Sequence, residues 1–173
     1  LSTLPNFIVM APSDEGELVK MINTSINLDK NPSAIRYPRG NGIGVDLPSI
    51  DEKIDIGKGR IIEEGKKIAI LNFGARLEEC MIAKANLNKK GIYPTIFDAR
   101  FVKPLDENLI WQIATDHDYL ITIEEGSIGG FGSHVTNFLA NKNLLDSSIK
   151  LRTMILPDQF LDQDDPNQMY KQA

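Results

Sequence analysis

The residues best suited to bind an anion lie in the run 33–40, which includes Arg36, Tyr37, Pro38 and Arg39. A guanidinium group presents a planar fork of donors that matches two oxygens of a phosphate or a carboxylate. Pro38 fixes its own φ and favours an extended Tyr37, so we expect the backbone to hold Arg39 in one direction. This pattern predicts that Arg39 binds an anionic substrate group or, alternatively, forms a salt bridge with a neighbouring carboxylate.

Further charged residues follow the strands predicted from residue 56 onward. Ligands of open parallel sheets gather beyond the carboxyl ends of the strands. We therefore expect one edge of the sheet to carry both signs of charge, from Arg76, Arg100, Asp98, Glu124 and Asp158.

A glycine-rich stretch at 126–133 connects a predicted strand to a predicted helix. Its amides would either cradle a phosphate at the helix N-terminus or form a close-packed turn against a neighbouring domain. The spacing matches neither the dinucleotide fingerprint nor the P-loop, which favours the packed turn. Glu124 and Glu125 precede the stretch, and at most one of them faces any given site because neighbours on a strand point to opposite faces.

The two histidines and the single cysteine predict no metal centre. Neither His117 nor His134 has metal-ligand spacing with another histidine or cysteine. His134 follows the glycine-rich stretch and is a candidate for an interface, with a surface or capping role as the alternative. Cys80 lies within a predicted helix without an activating partner, so we expect a packing role.

The composition is that of a globular protein, with 42% hydrophobic and 25% charged residues. The formal net charge of −5 argues against non-specific nucleic-acid binding, which needs a basic face. The single cysteine excludes an internal disulfide, and no apolar run approaches the length of a membrane span. The chain starts at Leu1, enters an apolar run within a few residues and stops at 169–173 in a predicted helical stretch, so we expect a fragment.

The elements that position these residues form two units and a connection. Residues 1–45 predict β-α-β, the end of a parallel α/β domain, with a helix from Asp14 to near Asn27. Residues 46–55 are the predicted linker. From residue 56 onward we expect five strands with helices between the later four, in a mixed sheet that is parallel except for one hairpin strand. That hairpin is predicted around the turn at Glu64 and Gly65.

An ordered set of short segments resembles the C-terminal part of the 1-deoxy-D-xylulose-5-phosphate synthases, a thiamine-diphosphate-dependent branch of the transketolase family. Two runs separate this branch from transketolase proper: arginine-tyrosine-proline-arginine-glycine at 36–40 and phenylalanine-valine-lysine-proline-leucine-aspartate at 101–106. The segments lie at 10–15, 33–40, 56–59, 70–74, 98–106, 124–125, 129–133 and 156–158. The chain departs from the family pattern at 163–165.

The resemblance implies two parts: the end of the pyrimidine-binding domain at 1–45 and a transketolase C-terminal domain at 56–173, with a five-stranded, mostly parallel sheet and flanking helices. It implies an enzyme that condenses pyruvate with glyceraldehyde 3-phosphate, with loss of CO2, to give 1-deoxy-D-xylulose 5-phosphate. This product is a precursor of isoprenoids, thiamine and pyridoxal. By the same resemblance Arg39 binds the phosphate of glyceraldehyde 3-phosphate.

The resemblance further implies thiamine diphosphate and Mg²⁺ as cofactors of the complete enzyme, held mostly by residues upstream of this chain, which would be inactive alone. It implies a homodimer in the cytoplasm or a plastid stroma, without nucleic-acid or membrane partners. Two alternatives stay open: a docking or dimerisation module, and part of another thiamine-diphosphate enzyme that acts on a different 2-oxo acid.

Overall fold

The computed structural model describes residues 1–146, 148–159 and 168, and arranges them in two sheets with helices packed against them. The predictions about 163–165 and 169–173 lie outside the described residues. The strands are β1 Ile8–Met10, β2 Ser33–Ile35, β3 Arg60–Glu63, β4 Lys67–Phe73, β5 Thr95–Asp98, β6 Phe101–Lys103, β7 His117–Glu124 and β8 Lys150–Met154. The α-helices are α1 Glu15–Ile26, α2 Leu77–Asn88, α3 Glu107–Asp116 and α4 Phe131–Asn141.

The larger sheet has five strands in the order β3-β5-β4-β7-β8 and confirms the predicted fold class. All neighbours are parallel except β3, which runs antiparallel to β5. The central strand β4 is buried on both faces over its last five residues, as its continuous apolar sequence predicts for a parallel sheet covered by helices. Cys80 of α2 packs with Ile70 and Ile96 on one face. Residues of α3 and α4 join the main apolar core.

The predicted hairpin between the strands on either side of Gly65 is wrong, because β3 pairs with β5 rather than with β4. The connection from β3 to β4 passes over the start of β5, where the Gly65 amide donates to Thr95 Oγ1 at 3.0 Å. A Cβ on Gly65 would lie 2.3 Å from the carbonyl oxygen of Tyr93. The glycine is therefore required by the close approach of two backbones, which gives the same sequence signal as a tight turn.

The smaller sheet has the order β2-β1-β6. Strands β1 and β2 are parallel, as predicted, but β6 joins the other edge of β1 in the antiparallel direction. Phe101 of β6 packs with Met10, Met21 and Ile54 in a second core. Because only two residues separate Phe101 from β5 of the larger sheet, this core joins the two sheets.

Helix α1 begins where the sequence predicts. The Asp14 carboxylate accepts a hydrogen bond from the Glu17 amide at 2.7 Å, which satisfies one of the free amides of the first turn. The Glu17 carboxylate contacts Arg60 and Arg100 from the larger sheet's part of the chain, as described below. Within the described part of the chain, no helix combines the length and the apolar character needed to cross a membrane.

Candidate functional site

Arg39 lies on an exposed loop just beyond the carboxyl end of β2. The last hydrogen bond between the ends of β1 and β2 is donated by the Arg36 amide to the Met10 carbonyl oxygen at 2.9 Å. The chain leaves the sheet after this bond. No carboxylate of the described residues lies within ion-pair distance of Arg39. Its guanidinium is therefore presented to solvent, at the edge where ligands of parallel sheets gather.

Arg36 points elsewhere, into a pocket between the two sheets. Its Cζ lies 5.1 Å from the centroid of the Phe73 ring, and its Nη2 is 3.4 Å from the Phe73 carbonyl oxygen. The pocket has a volume of about 450 Å³, and Glu124, Phe131 and His134 also line it. Arg39 is not among its lining residues, so the structure separates the two arginines of the sequence run.

His134 lies at this junction of the two parts of the chain. Its Nε2 is 3.2 Å from Ser2 Oγ, while its own helix α4 packs against the larger sheet. His134 thus contacts the first residues of its own chain, and a role in an interface with another protein stays a prediction.

The glycine-rich stretch surrounds a carboxylate of its own chain. Glu124 accepts hydrogen bonds from the amides of Phe131 at 2.9 Å and Gly132 at 2.8 Å, at the N-terminus of α4. A Cβ on Gly130 would lie 2.2 Å from Glu124 Oε2, so the glycines allow the backbone to close around the carboxylate. The positive end of the helix thus already holds an anion. The close-packed turn is confirmed. It packs on Glu124, and Arg36 of the smaller sheet's part of the chain lies beside it, since a Cβ on Gly126 would be 3.5 Å from Arg36 Nη1. The phosphate cradle is wrong, because Glu124 takes the amides of Phe131 and Gly132.

Glu125 takes the opposite direction, as strand alternation predicts. Its Oε1 is 3.1 Å from Arg76 Nε, and Arg76 also contacts Glu79 at 2.6 Å. The adjacent pair of glutamates therefore serves two separate sites and forms no acid–base pair.

Four buried or half-buried charges connect α1 to the ends of β3 and β5. Glu17 accepts two bonds from Arg100, from Nε at 2.7 Å and from Nη2 at 2.9 Å, and lies 3.1 Å from Arg60 Nη1. Arg60 Nη2 is 3.1 Å from Asp98 Oδ2, and Ser13 Oγ donates to the same oxygen at 2.9 Å. We call Glu17, Arg60, Asp98 and Arg100 the ionic bridge.

Burial raises the pKa of one carboxyl of the ionic bridge. The Asp98 side chain is fully buried, and this desolvation raises the pKa of its carboxyl, although the nearby Arg60 opposes the shift. Arg100 adopts a left-handed φ of 59° next to Asp98 and donates its amide to Asp98 Oδ1 at 3.3 Å. Of the charged residues expected at this edge, Asp98 and Arg100 belong to the ionic bridge, together with Glu17 and Arg60. Asp158 is exposed.

Cys80 is a packing residue, as predicted. Burial raises the pKa of its thiol from 9.0 to about 12, so the reactive thiolate is absent at neutral pH.

The described residues do not fit a diphosphate or a magnesium ion. No group of three or more His, Cys, Asp or Glu side chains among them is arranged to hold a metal. The glycine-lined helix N-terminus, which is the usual place for a phosphate, binds Glu124 instead.

The family model for the transketolase C-terminal domain matches residues 57–173. Among solved structures, a split-gene transketolase described as an inactive beta4 tetramer is similar with a TM-score of 0.79 and 24% identity, over 99% of this chain and 53% of its own. Two variants of the transketolase from Pichia stipitis match with TM-scores of 0.67 and 0.65, at 16% and 17% identity, over 98% of this chain and 23% of theirs. At these identities the structures show the fold alone, and this chain spans about half or a quarter of their lengths.

Proposed function

The chain belongs to the transketolase family through its C-terminal domain, and from this premise we propose that it is the C-terminal part of a 1-deoxy-D-xylulose-5-phosphate synthase. The complete enzyme condenses pyruvate with glyceraldehyde 3-phosphate and releases CO2. The ordered segments described above support this choice within the family, in particular the runs at 36–40 and 101–106. These two runs lie near each other, because β6 at 101–103 and β2, which ends just before 36, flank the same strand β1.

In this proposal, Arg39 binds the phosphate of glyceraldehyde 3-phosphate. The observation that carries the assignment is an exposed guanidinium beyond the end of β2, without a carboxylate of the described residues to neutralise it. A guanidinium offers a phosphate two parallel charge-assisted hydrogen bonds. Arg36 is already stacked on Phe73, so the two arginines have separate tasks.

The proposal places thiamine diphosphate and Mg²⁺ on parts of the complete enzyme other than the described residues. No step of the cofactor chemistry is therefore assigned to these residues. The proposal also includes a homodimer, in line with the family resemblance.

The test of Arg39 compares two aldehydes that differ only in the phosphate. In the complete enzyme, Arg39→Ala should lower kcat/KM for glyceraldehyde 3-phosphate by about 30- to 150-fold, since a charge-assisted contact contributes about 2–3 kcal/mol. The kcat/KM for unphosphorylated glyceraldehyde and the KM for pyruvate should stay within about twofold. Arg152→Ala is the matched control, because Arg152 is an exposed arginine on β8. An equal loss with both aldehydes would remove Arg39 from the phosphate site.

A further inference from the structure

The loop that follows Arg39 closes around a carboxylate of α1. Glu15 Oε1 accepts hydrogen bonds from the amides of Gly44 at 2.6 Å and Val45 at 3.1 Å, and Glu15 Oε2 accepts one from the Ile43 amide at 3.1 Å. Three consecutive amides that converge on one anion form a backbone nest. Gly44 has a φ of 89°, a left-handed conformation that glycine adopts without strain.

Gly42 explains how the loop comes this close. A Cβ at this position would lie 2.5 to 2.8 Å from the carboxyl carbon and oxygens of Glu15. Any larger residue would therefore push the carboxylate out of the nest. Local sequence indicates no role for Glu15, because the amides that its carboxylate binds lie about 30 residues along the chain. A glycine-rich connection has the same sequence pattern whether it is free or clamped.

The nest lies a short distance from Arg39. Only three residues, at positions 40–42, separate Arg39 from Ile43, and two of them are glycines. On the other side, the bond from the Arg36 amide to Met10 fixes the end of β2. Between these two anchor points, residues 37–42 form no hydrogen bond with any other residue that the structure describes. The position of Arg39 thus depends on the two ends of its loop.

We propose that Glu15 is a positioning residue for Arg39: its carboxylate clamps the amides of residues 43–45 and thereby holds the Arg39 guanidinium where the substrate phosphate binds. This inference rests on the proposed role of Arg39. Hydrogen bonds from backbone amides lower the pKa of the Glu15 carboxyl. The amide of Glu15 itself has the largest effect, the amides of residues 43–45 add to it, and burial opposes them. The clamp is consequently charged at neutral pH.

The clamp lowers the conformational entropy of the free loop before the substrate binds. Glycine populates more backbone conformations than any other residue, and Gly40, Gly42 and Gly44 alternate through this loop. Without the carboxylate, Arg39 would sample many positions, and phosphate binding would have to order the loop at the expense of affinity. The expected effect is on the KM of the phosphorylated substrate, with little effect on kcat or on the KM for pyruvate.

The experiment uses the complete enzyme with Glu15→Ala and the isosteric Glu15→Gln. Glu78→Ala is the matched control, since Glu78 is an exposed glutamate in the first turn of α2. Hydrogen exchange of the amides of residues 43–45 should accelerate at least tenfold in Glu15→Ala and remain unchanged in the control. The KM for glyceraldehyde 3-phosphate should rise by about tenfold, with a smaller rise in Glu15→Gln because one acceptor oxygen remains.

The double variant Glu15→Ala/Arg39→Ala separates this inference from the assignment of Arg39. If Glu15 acts through Arg39, adding Glu15→Ala to Arg39→Ala should raise the KM for glyceraldehyde 3-phosphate no further. If Arg39→Ala raises this KM but neither Glu15 variant does, the positioning role of Glu15 is overturned while Arg39 keeps its role. If Arg39→Ala has no effect, the phosphate assignment itself fails, and the positioning role fails with it.

Discussion

Removing the charge of Glu17 should destabilise the protein more than any substitution of an exposed charge. The Glu17 side chain is only 2% exposed and contacts both guanidinium groups of the ionic bridge. Glu17→Gln keeps the volume of the side chain but replaces one carboxylate oxygen by an NH2 group, which donates hydrogen bonds and cannot accept one. Arg60 retains Asp98 as a partner, whereas Arg100 loses its one ion pair with a described carboxylate.

The size of the effect follows from the geometry. With charge centres about 4 Å apart and an effective dielectric constant of about 20, each pair attracts by about 4 kcal/mol before desolvation is subtracted. Breaking a buried pair by removing one partner costs about 3–5 kcal/mol, because the other charge stays buried. The Arg100 side chain is 14% exposed and keeps some water, so we expect a value near the lower end, about 3 kcal/mol.

Urea unfolding followed by circular dichroism measures this loss. With an m-value of about 2 kcal/mol per molar, the midpoint should fall by about 1.5 M. Glu79→Gln is the control: Glu79 pairs with Arg76 at 2.6 Å but is 48% exposed, so its loss should remain below about 1 kcal/mol. Adding Arg100→Gln to Glu17→Gln should recover part of the stability, because it removes the stranded charge. Equal midpoints for Glu17→Gln and Glu79→Gln would refute the bridge as a stabilising contact.

Three further results are expected. Gly130→Ala should lower the free energy of unfolding by more than about 2 kcal/mol, because its Cβ would overlap the Glu124 carboxylate. The control Gly40→Ala has open space around the added Cβ and should change this free energy by less than about 0.5 kcal/mol. Equal effects of the two substitutions in urea unfolding would contradict the packed turn. Gly65→Ala should lose at least about 2 kcal/mol in the same assay, since its Cβ would meet backbone atoms, and a neutral result would contradict the close crossing over β5. Cys80 should resist iodoacetamide at pH 8 in the folded protein, and rapid labelling detected by mass spectrometry would contradict its burial. Because the folded pKa of the thiol, about 12, lies above the usual 9.0, the contribution of Cys80 to stability is retained below about pH 9 and is lost as the pH rises toward 12.

The parts of the fold that depend on local sequence could be predicted. The apolar run of β4 and the cap at Asp14 identify a central strand and the start of a helix because both signals lie within a few residues. Strand β6 was missed because only two residues separate it from β5, and one of them, Arg100, adopts a left-handed backbone that no local signal predicts.

The contacts of the candidate site were predicted less completely, because they depend on packing between residues that are distant in sequence. Alternation along β7 separates Glu124 from Glu125, but only packing decides that Glu124 enters the N-terminus of α4. The ionic bridge and the clamp at Glu15 join residues that are distant in sequence, so spacing gives no indication of them. Arg39 stands out from local chemistry alone, whereas its proposed ligand comes from the family resemblance.

The most direct test of the proposed function is a turnover assay of the complete enzyme with pyruvate labelled at C1 and glyceraldehyde 3-phosphate. A 1-deoxy-D-xylulose-5-phosphate synthase should release labelled CO2 together with an equal amount of 1-deoxy-D-xylulose 5-phosphate. Transfer of a two-carbon unit between sugar phosphates, without turnover of pyruvate, would contradict the proposed function and assign the chain to a transketolase of the ordinary type.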